Sequence, residues 1–409
     1  METVNNLTIT QSFFLAALRD HIHRRVTDVC PEPDWEQLCL YARNHQLSGI
    51  VGCQCREYLN AHTDEKACAE LLSGFYGSVY ASKKRDKAYL DIKNAFLKEE
   101  IVFFPVKGQS VSAFYPVPAL RVMGDVDIVM SAEDRLKAHE IMRQLGYSNT
   151  VHDDAEWTYI KDGIEIELHD KLEYEQLTEF NLYFNDFWKY VRTENGEYRL
   201  DPNFHFLYLL LHLRKHLISF GVGFRQFMDI ALMTEAEKKV LDWQWITREL
   251  EKIKLLGFAR QCAELCRMWF GVDIPIAGEP IAPEFYIKAT ESVFANGVFG
   301  FQNEDNADVS INQIAKSAAL SQTDLQKTVL RKTVRNIFPD YHTMCSAEHY
   351  SFLRGRPYLL PSAWVYRLWR GITLRKMHFV TKMADDVRTS TVMSDEIQAR
   401  ADYLKQWKI

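Results

Sequence analysis

Hydrophobic residues recur at helical spacing through the first part of the chain. Asp34 precedes Trp35 and Leu38, which is the arrangement of an N-cap followed by an apolar helix face. The stretch 66–97 carries apolar or small residues at helical intervals and no period-two alternation. These patterns predict an N-terminal helical region over residues 1–92.

The pattern of apolar residues changes near residue 100, where short apolar runs replace the helical periodicity. The runs 101–106 and 126–129 have the length and composition of buried strands. Two further alternating runs flank Asp162-Gly163, and Asp-Gly between such runs is a strong hairpin signal. The pattern predicts an α/β unit with a small mixed sheet over residues 93–200.

Helical texture returns after residue 200. Asp201-Pro202 is a helix start followed by a strongly apolar run to about Phe220. The stretch Gly297–Asp308 is rich in glycine, asparagine and aspartate, which is typical of an exposed loop. We therefore predict a C-terminal helical domain over residues 201–409. Its further helices are expected at 224–237, 243–256 and 258–270.

Composition narrows the class of protein. A length of 409 residues suggests two or three folded units, and 47% hydrophobic with 25% charged residues is ordinary for a soluble protein. The net charge of −6 gives no support to nucleic-acid binding, because proteins that bind nucleic acid usually carry an excess of lysine and arginine. No stretch approaches the roughly 20 apolar residues of a membrane span. The eight cysteines form no CxxC pair, so we expect reduced thiols and a cytoplasmic protein.

Two aspartates carry the first chemical signal. Asp125 and Asp127 are two apart on a predicted strand, so their side chains project from the same face. Such carboxylates repel each other unless a cation lies between them, and Mg²⁺ prefers oxygen ligands of this kind. Glu165 and Glu167 share a face of a later strand in the same way. Either glutamate would add the third carboxylate of a two-metal site.

A second signal lies upstream, where a predicted strand becomes a helix. Gly108 would let a phosphate approach the backbone, and Lys107 would add a positive charge for it. Ser110 follows in the same turn. Arg121 lies four residues before Asp125, where it is placed to touch either a triphosphate or the carboxylates.

These residues together resemble a known family. The chain resembles the uncharacterised nucleotidyltransferases of the DNA polymerase beta superfamily over roughly residues 10–375. A further match is Gly223-x-Arg225 with Asp229. The motifs that carry the resemblance are Lys107-Gly108, then Arg121-x-x-Gly124-Asp125-x-Asp127, then Glu167-Leu168-His169.

The resemblance implies an α+β fold, in which a small mixed-sheet nucleotidyltransferase core is flanked by N- and C-terminal helical regions. It implies that Asp125, Asp127 and Glu167 hold Mg²⁺ or Mn²⁺ and act in catalysis. It also implies a nucleoside triphosphate substrate, with ATP as the default. The residues expected to bind this nucleotide are Lys107, Gly108, Ser110, Arg121, Gly124 and Arg225. The superfamily usually has Gly-Ser in the first turn, whereas this chain has Lys107-Gly108 with Ser110 further on.

Several alternatives stay open at this stage. Asp-x-Asp also occurs in nucleotide-sugar glycosyltransferases, and a nucleotidyltransferase fold can serve as a non-catalytic binding protein. The acceptor is unassigned, with a small molecule, sugar or protein favoured over nucleic acid by the acidic balance. Arg225 and Asp229, one helical turn apart, are expected to form an ion pair. His212 and His216 are interpreted as core or interface histidines.

Overall fold

The computed structural model divides into two compact units. The first consists of Met1–Leu217 with Gly221–Gly300, and the second of Ile218–Phe220 with Phe301–Ile409. The residues that the structure describes are 7–152, 156–172, 178–194, 196–219, 221–297, 338–341, 344, 348–353, 355–373 and 394–409.

The first unit begins with the helices that the N-terminal pattern predicts. Thr8 and Gln11 form a reciprocal capping box at the first helix, and the Asp34 carboxylate accepts from the backbone N–H of Gln37 at the second. The helices are α1 (Ile9–Ile22), α2 (Trp35–Asn44), α3 (Ser48–Gln54), α4 (Arg56–Ala61) and α5 (Lys66–Lys98).

A five-stranded mixed sheet follows, where the sequence predicts a small mixed sheet. Its strands are β1 (Phe103–Pro105), β2 (Asp125–Met130), β3 (Ser148–His152), β4 (Glu156–Lys161) and β5 (Ile164–His169). Their order is β1-β2-β5-β4-β3, in which β2 and β5 are parallel and the other neighbours antiparallel. Asp162 and Gly163, at φ of 52° and 75°, form the predicted β4–β5 hairpin turn.

One face of this sheet is apolar and buried, so the opposite face points away from the core. Val126 and Ile128 of β2 and Ile166 of β5 pack against Phe96 of α5 and Met142 of the helix α7. The helices of this region are α6 (Lys107–Val111) and α7 (Arg135–Gln144). Because strand residues alternate between faces, the acidic residues of β2 and β5 lie on the side away from this core.

Further helices complete the first unit. Asp201 caps the helix Pro202–Ser219, because its Oδ1 atom accepts a hydrogen bond from the backbone N–H of Asn203 at 2.9 Å. A second, two-stranded sheet of β6 (Val191–Glu194) and β7 (Glu197–Leu200) precedes this cap. The helices are α8 (Thr178–Asn185), α9 (Pro202–Ser219), α10 (Phe224–Ala236), α11 (Trp243–Lys252), α12 (Leu256–Phe270) and α13 (Pro283–Asn296).

The described part of the second unit is helical where it is regular. It contains α14 (Leu360–Thr373) and α15 (Ser394–Gln406). The loop expected at Gly297–Asp308 lies outside the described residues from position 298 onward. Along the described ranges, no helix combines the length and apolar character needed to cross a membrane. The fold class is the predicted one, an α+β mixed sheet flanked by helices, and the three-part division at residues 92 and 200 stays a prediction.

Candidate active site

The register of β2 against β5 brings the acidic residues together. The two strands run parallel, with Asp125 beside Glu165 and Asp127 beside Glu167. Residues two apart on a strand share a face, so all four carboxylates belong to the same side of the sheet. The structure therefore places the predicted carboxylates on neighbouring strands, although a long crossover separates them in sequence.

Three side chains of this face converge most closely. The Nε2 atom of His169 lies 3.0 Å from Oδ1 of Asp127 and 3.2 Å from Oε2 of Glu167. Asp127, Glu167 and His169 could together hold a metal ion, because one ligand atom from each lies within 4.8 Å of the others. In the described part of the chain, no other group of three or more histidine, cysteine, aspartate or glutamate side chains meets this distance. Asp127 is almost fully buried, with 2% exposure. His169 belongs to the Glu167-Leu168-His169 motif but is not among the metal ligands expected from the sequence, so the structure adds this residue to the candidate set.

Lys107 reaches the same cluster from the turn after β1. The backbone N–H of Val106 donates to the carbonyl of Asp127 at 3.0 Å, which fixes the turn beside β2. The Lys107 backbone takes φ of 49°, in the left-handed region. Its Nζ atom donates to Oδ1 of Asp127 at 2.5 Å. In this arrangement two potential cations, Lys107 and His169, both contact Oδ1 of Asp127.

The electrostatics follow from burial and from these contacts. Burial, and then the neighbouring Asp127 carboxylate, raise the pKa of Asp125 to about 6. Burial opposes ionisation of Asp127, but Lys107 and His169 outweigh it and hold the pKa of Asp127 well below its usual range. Burial likewise opposes the Lys107 cation, yet Asp127 brings the pKa of Lys107 above its ordinary value. Neighbouring cations therefore compensate the negative charge of Asp127 better than that of Asp125.

The donor set fits the divalent ion that the family resemblance implies. Carboxylate oxygens of Asp127 and Glu167 suit Mg²⁺ and Mn²⁺, and the imidazole nitrogen of His169 suits transition metals. A buried carboxylate pair with a raised pKa at Asp125 is also where added positive charge would relieve repulsion. The residues present therefore match Mn²⁺ at least as well as Mg²⁺.

Gly108 has a packing requirement of its own. A Cβ atom at this position would lie 2.8 Å from Nη1 of Arg121 and 3.1 Å from Cβ of Met123. The absent side chain thus makes room for Arg121. Gly124 differs, because no atom lies within 4 Å of a Cβ built there. The expected nucleotide contacts of both glycines stay predictions.

Ser110 links the turn to a later helix. Its Oγ atom donates to the carbonyl of Lys107 at 2.9 Å and lies 3.2 Å from Nε2 of His205 in α9. His205 is buried, and burial lowers the pKa of His205 to about 4. A neutral imidazole from the helical region therefore braces the turn that presents Lys107. Sequence reasoning missed His205, since a histidine within an apolar helix carries no local signal.

Arg121 binds a different carboxylate from those of the candidate metal-binding cluster. Its Nε and Nη2 atoms donate to the two Asp229 oxygens at 3.2 and 2.7 Å. The Tyr115 hydroxyl donates to the same carboxylate at 2.7 Å. The expected ion pair of Arg225 with Asp229 is wrong in its partner, because α10 turns Asp229 toward Arg121. A bidentate contact between buried groups explains this choice.

Arg225 instead supports the segment that leads into β2. Its Nη1 atom donates to the carbonyl of Val122 at 2.7 Å and also to the Gln46 side chain. The Val122 carbonyl accepts from Nη1 of Arg121 as well, at 2.9 Å. Burial and the nearby Arg121 cation lower the pKa of Arg225 to about 10. Two guanidinium groups therefore hold the backbone shortly before Asp125.

Comparison with known proteins supplies the family. Searches of curated proteins and of solved structures found no significant match to this chain. One family model, described as uncharacterised nucleotidyltransferase, matches residues 31–271. This match covers more than half of the chain and includes the β2–β5 carboxylates, the Lys107 turn and the Arg121–Asp229 pair. The chain therefore belongs to the family of uncharacterised nucleotidyltransferases.

Proposed function

We propose that the protein transfers a nucleoside monophosphate from a nucleoside triphosphate to an acceptor, with release of pyrophosphate and dependence on Mg²⁺ or Mn²⁺. The observation that carries the proposal is the convergence of Asp127, Glu167 and His169 at one place on the polar face of the sheet. Family membership supports the reaction type. ATP is the substrate we propose to test first.

The chemistry assigns separate tasks to the residues. A bond forms between an acceptor oxygen and the α-phosphorus, while the bond from that phosphorus to pyrophosphate breaks. A divalent ion held by Asp127, Glu167 and His169, with Asp125 beside them, would supply positive charge next to the transferring phosphoryl group. Glu167 is the carboxylate we assign to take the acceptor proton.

Lys107 has the position of a phosphate-binding cation in this proposal. It approaches from the turn after β1 and already contacts Asp127. Its ammonium group can donate three hydrogen bonds, so one can stay on Asp127 while others reach phosphate oxygens. Ser110, Gly108 and Gly124 are proposed to border the same nucleotide, since the Ser110 hydroxyl lies one turn from Lys107.

Arg121 and Arg225 take a supporting part in this proposal. Both guanidinium groups donate hydrogen bonds to the carbonyl of Val122, and the guanidinium of Arg121 also donates to Asp229. They hold the approach to β2 and add positive charge beside Asp125, whose carboxylate influences the pKa of each. Their effect on nucleotide binding is therefore proposed to pass through the position of Asp125.

The acceptor is proposed to be a small molecule, a sugar or a protein side chain rather than nucleic acid, because the net charge is −6. We also propose a cytoplasmic location. The seven cysteines in the described part of the chain carry no disulfide, as a reducing compartment requires.

The test is calorimetric titration of each nucleoside triphosphate with Mg²⁺ or Mn²⁺, followed by measurement of pyrophosphate release with candidate acceptors. Asp127→Asn is expected to lose metal-dependent binding and turnover. Asp162→Asn, in the exposed hairpin turn, is the matched control and should behave like the unaltered protein. Full turnover by Asp127→Asn would contradict the proposal. Binding of sugar nucleotides in place of triphosphates would favour glycosyl transfer instead.

A further inference from the structure

A row of three polar side chains crosses the sheet at the candidate site. Asp127 of β2 is paired with Glu167 of β5, and Glu167 is paired in turn with Thr158 of β4. Residues directly opposite each other on antiparallel strands share a face, with Cβ atoms about 5 Å apart. Thr158 therefore lies beside Glu167, on the side of Glu167 that is away from Asp127.

The packing of β4 shows which face of the sheet Thr158 occupies. Its neighbours Trp157 and Tyr159 belong to the apolar core on the opposite side of the sheet, together with Ile166 of β5. Since strand side chains alternate between the two faces, Thr158 points to the polar face with Glu167. Thr158 is nevertheless buried, with 4% exposure.

The hydroxyl of Thr158 is buried without a hydrogen bond. Among the residues that the structure describes, none forms a hydrogen bond with its Oγ1 atom, and the atom is closed to solvent. A buried polar group without a partner costs free energy, so such groups are rare in folded proteins. Valine would fill the same place with the same branched shape and without that cost. The hydroxyl is therefore expected to form a hydrogen bond in another state of the site.

The backbone at Thr158 is held in place, so the partner must come to the hydroxyl. The Thr158 carbonyl accepts hydrogen bonds from Nδ2 of Asn149 at 3.0 Å and from Oγ1 of Thr150 at 3.4 Å, which fix β4 against β3. Glu167 is the adjustable neighbour, because its carboxylate ends a long side chain and accepts hydrogen bonds on both oxygens. Its Oε2 atom contacts Nε2 of His169 at 3.2 Å, so Oε1 is the oxygen that can turn toward the hydroxyl.

We propose that Thr158 is a positioning residue for Glu167. In the metal-bound state its hydroxyl donates to Oε1 of Glu167 and fixes the carboxylate, with Oε2 directed to the candidate metal-binding cluster. Carboxylates that hold a metal are usually themselves hydrogen-bonded by a neighbouring group, and loss of that group weakens metal binding and activity. The metal-bound state rests on the proposed function, whereas the buried hydroxyl beside Glu167 does not.

The test compares Thr158→Val, which removes the hydroxyl and keeps the branched shape, with Thr158→Ser, which keeps the hydroxyl. In calorimetric titration of Mn²⁺ into the nucleotide-free protein, the affinity should fall by about tenfold or more in Thr158→Val and stay close to the unaltered value in Thr158→Ser. At saturating Mn²⁺, kcat should fall in Thr158→Val, while KM for the triphosphate should stay close to that of the unaltered protein. Thr193→Val, on the exposed strand β6, is the matched control and should behave like the unaltered protein.

Thermal unfolding separates the positioning role from a purely structural one. The melting temperature of metal-free Thr158→Val should equal or exceed that of the unaltered protein, because the hydroxyl forms no hydrogen bond in that state. A clearly lower melting temperature would show that the hydroxyl stabilises the metal-free fold, and it would overturn the proposal. So would an unaltered Mn²⁺ affinity in Thr158→Val, or a loss of affinity that Thr158→Ser shares in full.

The same measurements distinguish failure of this proposal from failure of the proposed function. If Mn²⁺ binds in a way that depends on the Thr158 hydroxyl but no triphosphate is turned over, the positioning role stands and nucleotidyl transfer fails. If Thr158→Val turns over the triphosphate at the unaltered rate, nucleotidyl transfer stands and the positioning role fails. Absence of Mn²⁺ binding by the unaltered, nucleotide-free protein would also overturn the positioning role.

Discussion

The Nε2 atom of His169 lies 3.0 Å from Oδ1 of Asp127, although the two residues are 42 positions apart in the chain. Burial lowers the pKa of His169, but its hydrogen bonds to Asp127 and Glu167 outweigh burial, so the pKa of His169 is raised. The two residues are neighbours because β2 and β5 pair in parallel. This contact, more than any single motif, defines the candidate centre.

The β2–β5 register leads to a prediction about two glutamates on one strand. Glu167 is paired with Asp127 and Glu165 with Asp125, and Glu167 contacts His169 at 3.2 Å. We expect Glu167→Gln to lower kcat by about 100-fold or more, since it removes the assigned proton acceptor. Glu165→Gln is the matched control and should leave kcat close to the unaltered rate. A larger loss of kcat in Glu165→Gln than in Glu167→Gln would assign the role of proton acceptor to Glu165.

The packing around Gly108 predicts a stability difference between two glycines of the site. Gly108→Ala places a Cβ against Arg121, whose guanidinium cannot move without loosening Asp229 and Val122. We expect a loss of about 1–3 kcal/mol in the free energy of unfolding. Gly124→Ala meets open space and should change stability by less than about 1 kcal/mol. Urea unfolding of both variants measures the difference, and equal losses would refute this account of Gly108.

The buried Arg121–Asp229 pair predicts the cost of removing one partner. Asp229→Asn leaves the Arg121 cation buried without its carboxylate partner. We expect a loss of about 3–5 kcal/mol in unfolding free energy. Glu235→Gln, which breaks an exposed contact with Lys238, is the control and should stay within about 0.5 kcal/mol. A small effect in Asp229→Asn would show that the pair contributes little to stability.

A buried histidine in the N-terminal helices predicts how stability depends on pH. His45 has no exposed surface, and burial lowers its pKa to about 3. The unfolded chain therefore binds the proton first as pH falls below about 6.5, so the stabilising effect is full above that pH and declines below it. Between pH 7.5 and 5.0 we expect about 2 kcal/mol of stability to be lost through this residue.

The measurement is the free energy of unfolding at both pH values in the unaltered protein and in His45→Gln. The variant should lose less stability on acidification, because the titrating group is gone, whatever its stability at pH 7.5. His62→Gln should keep the full pH dependence. An identical pH dependence in His45→Gln would mean that the ring is already protonated, or accessible, in the folded protein.

Much of the fold was predictable from local patterns. Helix caps such as Asp34, apolar spacing and the Asp162-Gly163 turn act between residues close in sequence, so the sequence alone predicts the N-terminal helical region, the strands that carry the acidic residues and the hairpin. Alternation along β2 and β5 likewise predicts that Asp125 and Asp127 share a face. The family motif added their order and the expectation of a metal site.

What the sequence by itself determined is therefore the set of acidic residues and the elements that carry them. Tertiary structure decided that β5 runs beside β2 with Glu167 at Asp127, that Arg121 takes Asp229, and that His205 of α9 meets Ser110. The physical reason is that partners far apart in the chain are chosen by the packing of whole helices and strands. No local pattern around Asp229 or His205 contains that information.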